Sequence, residues 1–249
     1  MHGFGQYREI TLHFTACDRT MPRTARCCSG GYAYHVLNRG NARGAVFHGA
    51  DDYDAFLDLM AESSVRTPMR ILAYCLMPNH FHLALWPRED GAVSRWMHWL
   101  MTTQVRRYLG RYRSSGHVWQ GRFKAFPIQE DEHLLSVMRY IERNPLRAGL
   151  VGRAEEWPWS SLRWVSAPAQ APVRLEPGTV PRGTLWVEGV NAVTADVELG
   201  NIRDSVRRDR PFGTSGWTLE TAKVLNLEYS LRSRGRPRGV KPAAPDKTT

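Results

Sequence analysis

The sequence predicts an α+β fold: a ferredoxin-like or RRM-like antiparallel sheet with helices packed on it, then a small helical C-terminal segment and a basic tail. Three observations lead there. Short runs that alternate like strands, such as YAYHVLN (Tyr32–Asn38) and HFHLALW (His80–Trp86), are bounded by turns rich in Gly, Asn and Pro. Between them lie stretches with apolar residues at helical spacing. The resulting order, β-β-α-β-β-α-β-α, favours one antiparallel sheet and a helix layer.

Taken in order, YAYHVLN is the first strand, RGNARG is turn chemistry, and AVFH (Ala45–His48) reads as a short second strand. Asp51-Asp52 opens a helix to about Arg66, with Phe56, Leu57, Leu59 and Met60 on its apolar face. MRILAYCLM and HFHLALW form a hairpin around Pro78-Asn79. Ser94 is placed to cap a helix running to about Tyr112 through Trp96, Trp99, Leu100, Val105 and Leu109. VWQGRFKAFPI (Val118–Ile128) reads as another strand. DEHLLSVMRYIERN (Asp131–Asn144) reads as a helix that starts with acidic residues, as its dipole favours, and stops before Pro145. Residues 1–30 are an N-terminal extension with a second methionine at Met21, and 31–165 hold the principal domain. The Pro- and Ala-rich stretch at 166–189 reads as a linker, 190–231 as a helical accessory segment and 232–249 as the basic tail.

The chain has 249 residues, 42% of them hydrophobic, so it can bury a sizeable core. Its formal net charge of +10 points to a polyanion, nucleic acid above all, as partner. Four cysteines without a C-x-x-C pair fit a reducing compartment, and no apolar run is long enough for a membrane span; a cytoplasmic protein is expected.

Residues i and i+2 of a strand share a face. His80 and His82 therefore point one way with Ala84, while Phe81, Leu83 and Leu85 point to a core on the other. Two imidazoles so placed can converge on a metal ion, although an isolated H-x-H is more often a pair of hydrogen-bonded surface histidines. On the helix from Asp131, Leu134, Val137, Met138 and Ile141 define the buried stripe, and Tyr140 and Asn144, four apart, share its edge.

His-hydrophobe-His on a strand, followed some sixty residues later by Tyr-x-x-x-Asn on a helix, resembles the HUH single-strand DNA endonucleases with one catalytic tyrosine. YHVLNRG, LMPNHFHLAL, VWQGRFKA, RYIERNPLRAGLV and WPWSS, in that order from Tyr32 to Trp164, resemble the REP-associated tyrosine transposases and their insertion-sequence relatives. The resemblance implies that His80 and His82 bind a divalent metal with Asn144 as third ligand, and that Tyr140 is the nucleophile. Where relatives often carry Gln, Asn144 is shorter and asks the helix to sit closer. Imidazole and oxygen ligands together suit Mg²⁺ or Mn²⁺. Cleavage of single-stranded DNA beside a hairpin or repeat would leave a 5′-phosphotyrosine adduct and a free 3′-OH, by a monomer or a homodimer.

Arg106, Arg107 and Arg111 on the second helix have the character of backbone-phosphate contacts. Gln120, Arg122 and Lys124 share one face of the VWQGRFKAF strand, with Trp119 and Phe123 available for packing or base stacking. Asn38 and Arg39 end the first strand and are weaker substrate-binding candidates. In the tail, Arg234, Arg236 and Arg238 of RSRGRPRGVKP are shaped like an AT-hook core. Two other functions compete: a non-catalytic sequence-specific DNA-binding regulator, and a replication-initiator or relaxase-type nickase. The absence of a P-loop from the sequence disfavours the nickase.

Overall fold

The computed structural model describes residues 28–192 and 196–232. Strands β1 (Ala33–Arg39), β2 (Arg70–Met77), β3 (His80–Trp86) and β4 (Lys124–Ile128) form one sheet in the order β2-β3-β1-β4, with every neighbouring pair antiparallel. Helix α1 (Ala50–Arg66) joins β1 to β2, and α2 (Ala92–Tyr112) joins β3 to β4. The predicted α+β class is therefore the observed one, with the split β-α-β connectivity of a ferredoxin-like domain.

The sheet is covered on both faces rather than on one. Tyr34, Val36, Phe81, Leu83 and Leu85 pack against Phe56 and Met60 of α1 and Trp96 and Leu100 of α2. On the other face Ala33, Leu72, Ala84, Phe126 and Ile128 meet Leu134, Val137, Met138 and Ile141 of α3 (Glu132–Glu142). Burial on both faces explains why RILAYCLM reads as a nearly continuous apolar run. Asp131 caps α3 by accepting from the His133 amide at 2.8 Å, and a short turn, α4 (Asn144–Arg147), follows with Pro145 in its first turn.

Several predicted boundaries move. AVFH is a loop: the amides of Val46 and Phe47 both donate to the Pro78 carbonyl, at 2.8 and 3.1 Å, which folds the segment over the hairpin instead of building a ladder. The ladder of β4 begins only at Lys124, because the residues before it serve other partners. Trp119 turns inward to donate to Gln104 at 2.8 Å, and the Gly121 carbonyl accepts from Asn38 at 3.0 Å. Helix α2 is capped by Gly91 in a left-handed conformation, three residues ahead of the cap proposed at Ser94.

The 166–189 stretch lies along β2. Val173 is buried in the core, the Glu176 amide donates to the Ile71 carbonyl at 2.8 Å, and Arg182 donates to the Leu72 carbonyl at 2.6 Å. At its end and after it come α5 (Trp186–Asn191), which packs on α3, α6 (Asp196–Arg208), which packs on β4, and α7 (Ser215–Val224); the segment between α6 and α7 reaches the edge of β4. There Phe212 pairs in parallel with Ile128, donating to the Pro127 carbonyl and accepting from the Gln129 amide, both at 2.9 Å. An edge strand that would otherwise offer free backbone groups is thus covered.

Candidate functional site

The β2–β3 hairpin and the β1–β3 ladder set the histidines in place. In the β1–β3 register Arg39 lies opposite His80, Leu37 opposite His82 and His35 opposite Ala84. Cross-strand partners share a face, so Arg39, His35, His80 and His82 all project toward the α3 side. His35 is the diagonal neighbour of His82, and its Nε2 lies 2.8 Å from His82 Nδ1. His80 Nδ1 lies 2.6 Å from the side-chain oxygen of Asn79. Asn79 is itself fixed, its Nδ2 donating to the Arg43 carbonyl at 2.8 Å and its carbonyl accepting from Gly40 at 2.7 Å. Gly40 is required there by close approach: a Cβ would sit 2.3 Å from the Gly44 carbonyl oxygen.

These contacts assign protons. Asn79 Oδ1 only accepts, so His80 Nδ1 carries the hydrogen and Nε2 keeps its lone pair. Neither Nε2, of His80 or of His82, makes a hydrogen bond among the described residues. Burial, then the charges of Arg39 and Arg147, lower the His80 pKa to about 4. Burial lowers His35 to about 3, and burial followed by His35, His80, Arg147 and Arg39 holds His82 well below the usual imidazole range. All three rings are therefore neutral at pH 7, the form that can ligate a metal.

Helix α3 brings Tyr140 to the same place. Its ring is 8% exposed and stands edge-on to His82 at 5.7 Å and to His35 at 6.0 Å. Asn144 is buried one turn on. Its Nδ2 donates to the carbonyls of Tyr140 and Ile141 at 2.8 and 3.2 Å, closing the open end of α3, and its Oδ1 accepts from Arg147 Nη2. Carbonyls only accept and guanidinium only donates, so the amide orientation follows from its partners. Arg147 is exposed, and its guanidinium lies 4.7 Å from the centre of the Tyr140 ring. The structure thus gathers His80, His82, Tyr140 and Asn144 at one place, and adds two residues that the sequence reading passed over, His35 and Arg147. Arg147 had a legible signal: it is seven residues after Tyr140 and three after Asn144, two helical spacings on one face.

The donor set fits a divalent cation. Two imidazole lone pairs are uncommitted, and the amide oxygen of Asn144 has one lone pair beyond the bond to Arg147. Among the described residues no group of three or more His, Cys, Asp or Glu is arranged to hold a metal; a three-ligand set at this place would have to draw on the Asn144 amide oxygen.

The remaining candidates scatter. Asn38 faces the opposite side of the sheet, buried, with Nδ2 on the Gly121 carbonyl and Oδ1 accepting from the Arg39 amide. Lys124, its side chain 43% exposed, is engaged with the C-terminal segment: its Nζ donates to the Val206 and Arg207 carbonyls at 3.0 and 3.2 Å, capping α6, and lies 3.7 Å from an Asp209 carboxylate oxygen. Arg111 pairs with Asp51 at 2.9 Å and Asp52 at 3.5 Å. Arg106 and Arg107 are exposed on α2, in the layer across the sheet from the histidines. Gln120 and Arg122 are exposed in the bends before β4, with the Gln120 amide donating to the Arg39 carbonyl at 2.8 Å. Arg234, Arg236 and Arg238 lie outside the described residues.

Residues 28–144 match the family model described as "Transposase IS200 like". The chain is 29% identical over 123 residues to a Haemophilus influenzae protein provisionally named a REP-associated tyrosine transposase, covering 45% of this chain and 69% of that one. It is 23% identical over 136 residues to the Escherichia coli REP-associated tyrosine transposase, covering 53% of this chain and 77% of that one. Among solved structures, a REP-associated tyrosine transposase bound to a REP hairpin aligns with a TM-score of 0.47 and 20% identity, over 64% of this chain and 93% of the other.

Proposed function

Residues 28–144 belong to the IS200-like transposase family, and from that premise we propose that this chain cleaves and rejoins single-stranded DNA, beside a hairpin or repeat, with Tyr140 as nucleophile. The observation that carries the reading is convergence: the Tyr140 ring packs edge-on against His82 with the Arg147 guanidinium over it, and the Asn144 amide bonds both to that guanidinium and to the Tyr140 carbonyl.

In the step proposed, the Tyr140 oxygen attacks the scissile phosphorus. A P–O bond to tyrosine forms, the P–O3′ bond breaks, the phenol proton is lost, and the departing 3′ oxygen takes up a proton. One phosphodiester is exchanged for another, so attack by the 3′-OH of a second strand end regenerates free Tyr140 without a nucleotide cofactor. Arg147 supplies fixed positive charge where phenolate and phosphate oxygens become more negative. The neutral rings of His80 and His82, with Asn144, would hold Mg²⁺ or Mn²⁺, which polarises and orients the phosphate when bound. The exposed Arg39 and Arg122 are placed to meet the strand's backbone, in keeping with the net charge of +10.

The test is incubation of the full chain with single-stranded DNA, scored for a covalent adduct on a denaturing gel. Tyr140→Phe is expected to abolish the adduct while DNA binding persists, and EDTA to stop its formation until Mg²⁺ or Mn²⁺ is restored. Undiminished adduct in the Tyr140→Phe protein would remove Tyr140 from the chemistry. Metal-independent binding with no adduct from the unaltered chain would favour the DNA-binding regulator instead.

A further inference from the structure

We propose that His35 is a positioning residue: it accepts the Nδ1 proton of His82 and so turns the Nε2 lone pair of His82 toward the cation site. The inference rests on the metal-site reading given above, and it concerns a residue on a different strand from the H-x-H pair.

His35 is fully buried among apolar and aromatic neighbours, with Phe126 edge-on at 5.0 Å and Tyr140 at 6.0 Å. Its Nδ1 is buried without a hydrogen-bond partner, and His82 Nδ1, at 2.8 Å from Nε2, is the one polar contact of the ring among the described residues. Burying an unpartnered ring nitrogen opposes folding, so packing alone would be served better by an apolar side chain of similar size. The ring makes sense through the bond it does form.

A neutral imidazole carries one proton. For His82 to present a bare Nε2, that proton must reside on Nδ1, whose hydrogen-bond partner among the described residues is His35. The neighbouring ligand meets the same need in the same way: Asn79 Oδ1 holds the Nδ1 proton of His80. Each candidate ligand ring thus has an acceptor behind it, as metal-binding histidines require for a fixed tautomer. The unpartnered Nδ1 of His35 is compatible with this role, since no donor there commits Nε2 to carrying the His35 proton. A donor at that position would force the His35 proton onto Nε2, make His35 the donor to His82, and leave a proton on the nitrogen that faces the site. Nothing among the described residues does so.

The experiment compares the full unaltered chain with His35→Phe and His35→Gln. Mn²⁺ binding is measured by titration calorimetry, and the His82 ring tautomer of the metal-free protein by ¹⁵N NMR. His35→Phe removes the acceptor and is expected to weaken Mn²⁺ binding by about 10–100-fold, with the His82 proton moving to Nε2. Its melting temperature should change little, because one unpartnered nitrogen replaces another. His35→Gln places an amide oxygen near the Nε2 position and is expected to retain the Nδ1–H tautomer and much of the affinity. Equal Mn²⁺ affinity in His35→Phe, or a His82 proton on Nε2 in the unaltered protein, would overturn the assignment. The second measurement needs no variant, so it decides the matter even if His35→Phe does not fold. If the unaltered chain takes up no Mn²⁺, the metal-site reading fails, while the tautomer still decides what His35 does to His82.

Discussion

The guanidinium of Arg147 lies 4.7 Å from the centre of the Tyr140 ring and donates to the side-chain oxygen of Asn144. One exposed cation is therefore tied to both the proposed nucleophile and the proposed third ligand. Removing one preorganised donor from a site of developing charge costs about 10²–10³-fold in rate. Arg147→Ala is expected to slow adduct formation by about that factor, with little change in melting temperature because the side chain is exposed. Arg147→Lys keeps the charge but not the planar fork, so it should fall between the two. An Arg147→Ala protein that forms adduct at the unaltered rate would place Arg147 outside the chemistry.

A second expectation concerns acid stability. His80 and His35 have folded-state pKa values of about 4 and about 3, and His82 is also lowered, against 6.5 unfolded. Below pH 6.5 the unfolded chain takes up protons that the folded chain refuses, so stability is full above 6.5 and is lost as pH falls toward 4. Each histidine contributes a slope of up to about 1.4 kcal/mol per pH unit in that window. Glu142 works against this trend: burial raises its pKa, so the folded state holds that proton above the unfolded value and gains stability as pH falls. The difference between the unaltered chain and His35→Phe isolates the histidine part. Chemical denaturation between pH 7 and 4.5 should give a shallower loss in the variant, and parallel curves would count against a neutral buried His35.

How much of this was legible in the chain depends on which contacts are local. The faces of HFHLALW and the buried stripe Leu134–Ile141 follow from periods of 2 and 3.6 within single elements, and the structure places them accordingly; Asn144 keeps its one-turn spacing from Tyr140 but lies buried in the next helical turn, α4. His35 could not be joined to His82 in the same way. That bond joins residues 47 positions apart and depends on the β1–β3 register. The spacing of Arg147 from Tyr140 and Asn144 was legible only if the helix went on past Pro145, which reads as a stop; a proline in the first turn instead let a fresh helical turn begin at Asn144. AVFH failed as a strand because its amides converge on one carbonyl across the hairpin, a tertiary choice that alternation does not report.

Lys124 separates the two readings of the β4 region. As a phosphate contact its loss would weaken DNA binding and reduce the salt dependence. As the cap on the last carbonyls of α6, its loss should instead free the C-terminal helices from β4. Charged hydrogen bonds of this kind, partly exposed, are worth about 1 kcal/mol here. Lys124→Met is expected to raise amide hydrogen exchange in residues 196–208 while leaving single-stranded DNA affinity within about two-fold, a margin set by the loss of one general charge. A clear drop in affinity with unchanged exchange would return Lys124 to the DNA interface.

The last expectation ranks the arginines by the face of the sheet they occupy. Arg39 is exposed directly across from His80, and Arg122 lies in the bend whose neighbour Gln120 bonds to the Arg39 backbone. Arg106 and Arg107 stand on α2, in the layer behind the sheet. A strand held for attack by Tyr140 must run along the α3 face, within reach of the first pair rather than the second. For single-stranded DNA each lost phosphate contact lowers the salt slope by about 0.7. Arg39→Ala with Arg122→Ala should therefore reduce the slope of log affinity against log salt by about 1.4, and slow adduct formation with it. Arg106→Ala with Arg107→Ala should move the slope less and leave the adduct rate, at saturating DNA, unchanged. If the α2 pair lowers the slope more than the Arg39 pair, the strand crosses the helix layer, and the path assigned to it along the histidine face is wrong.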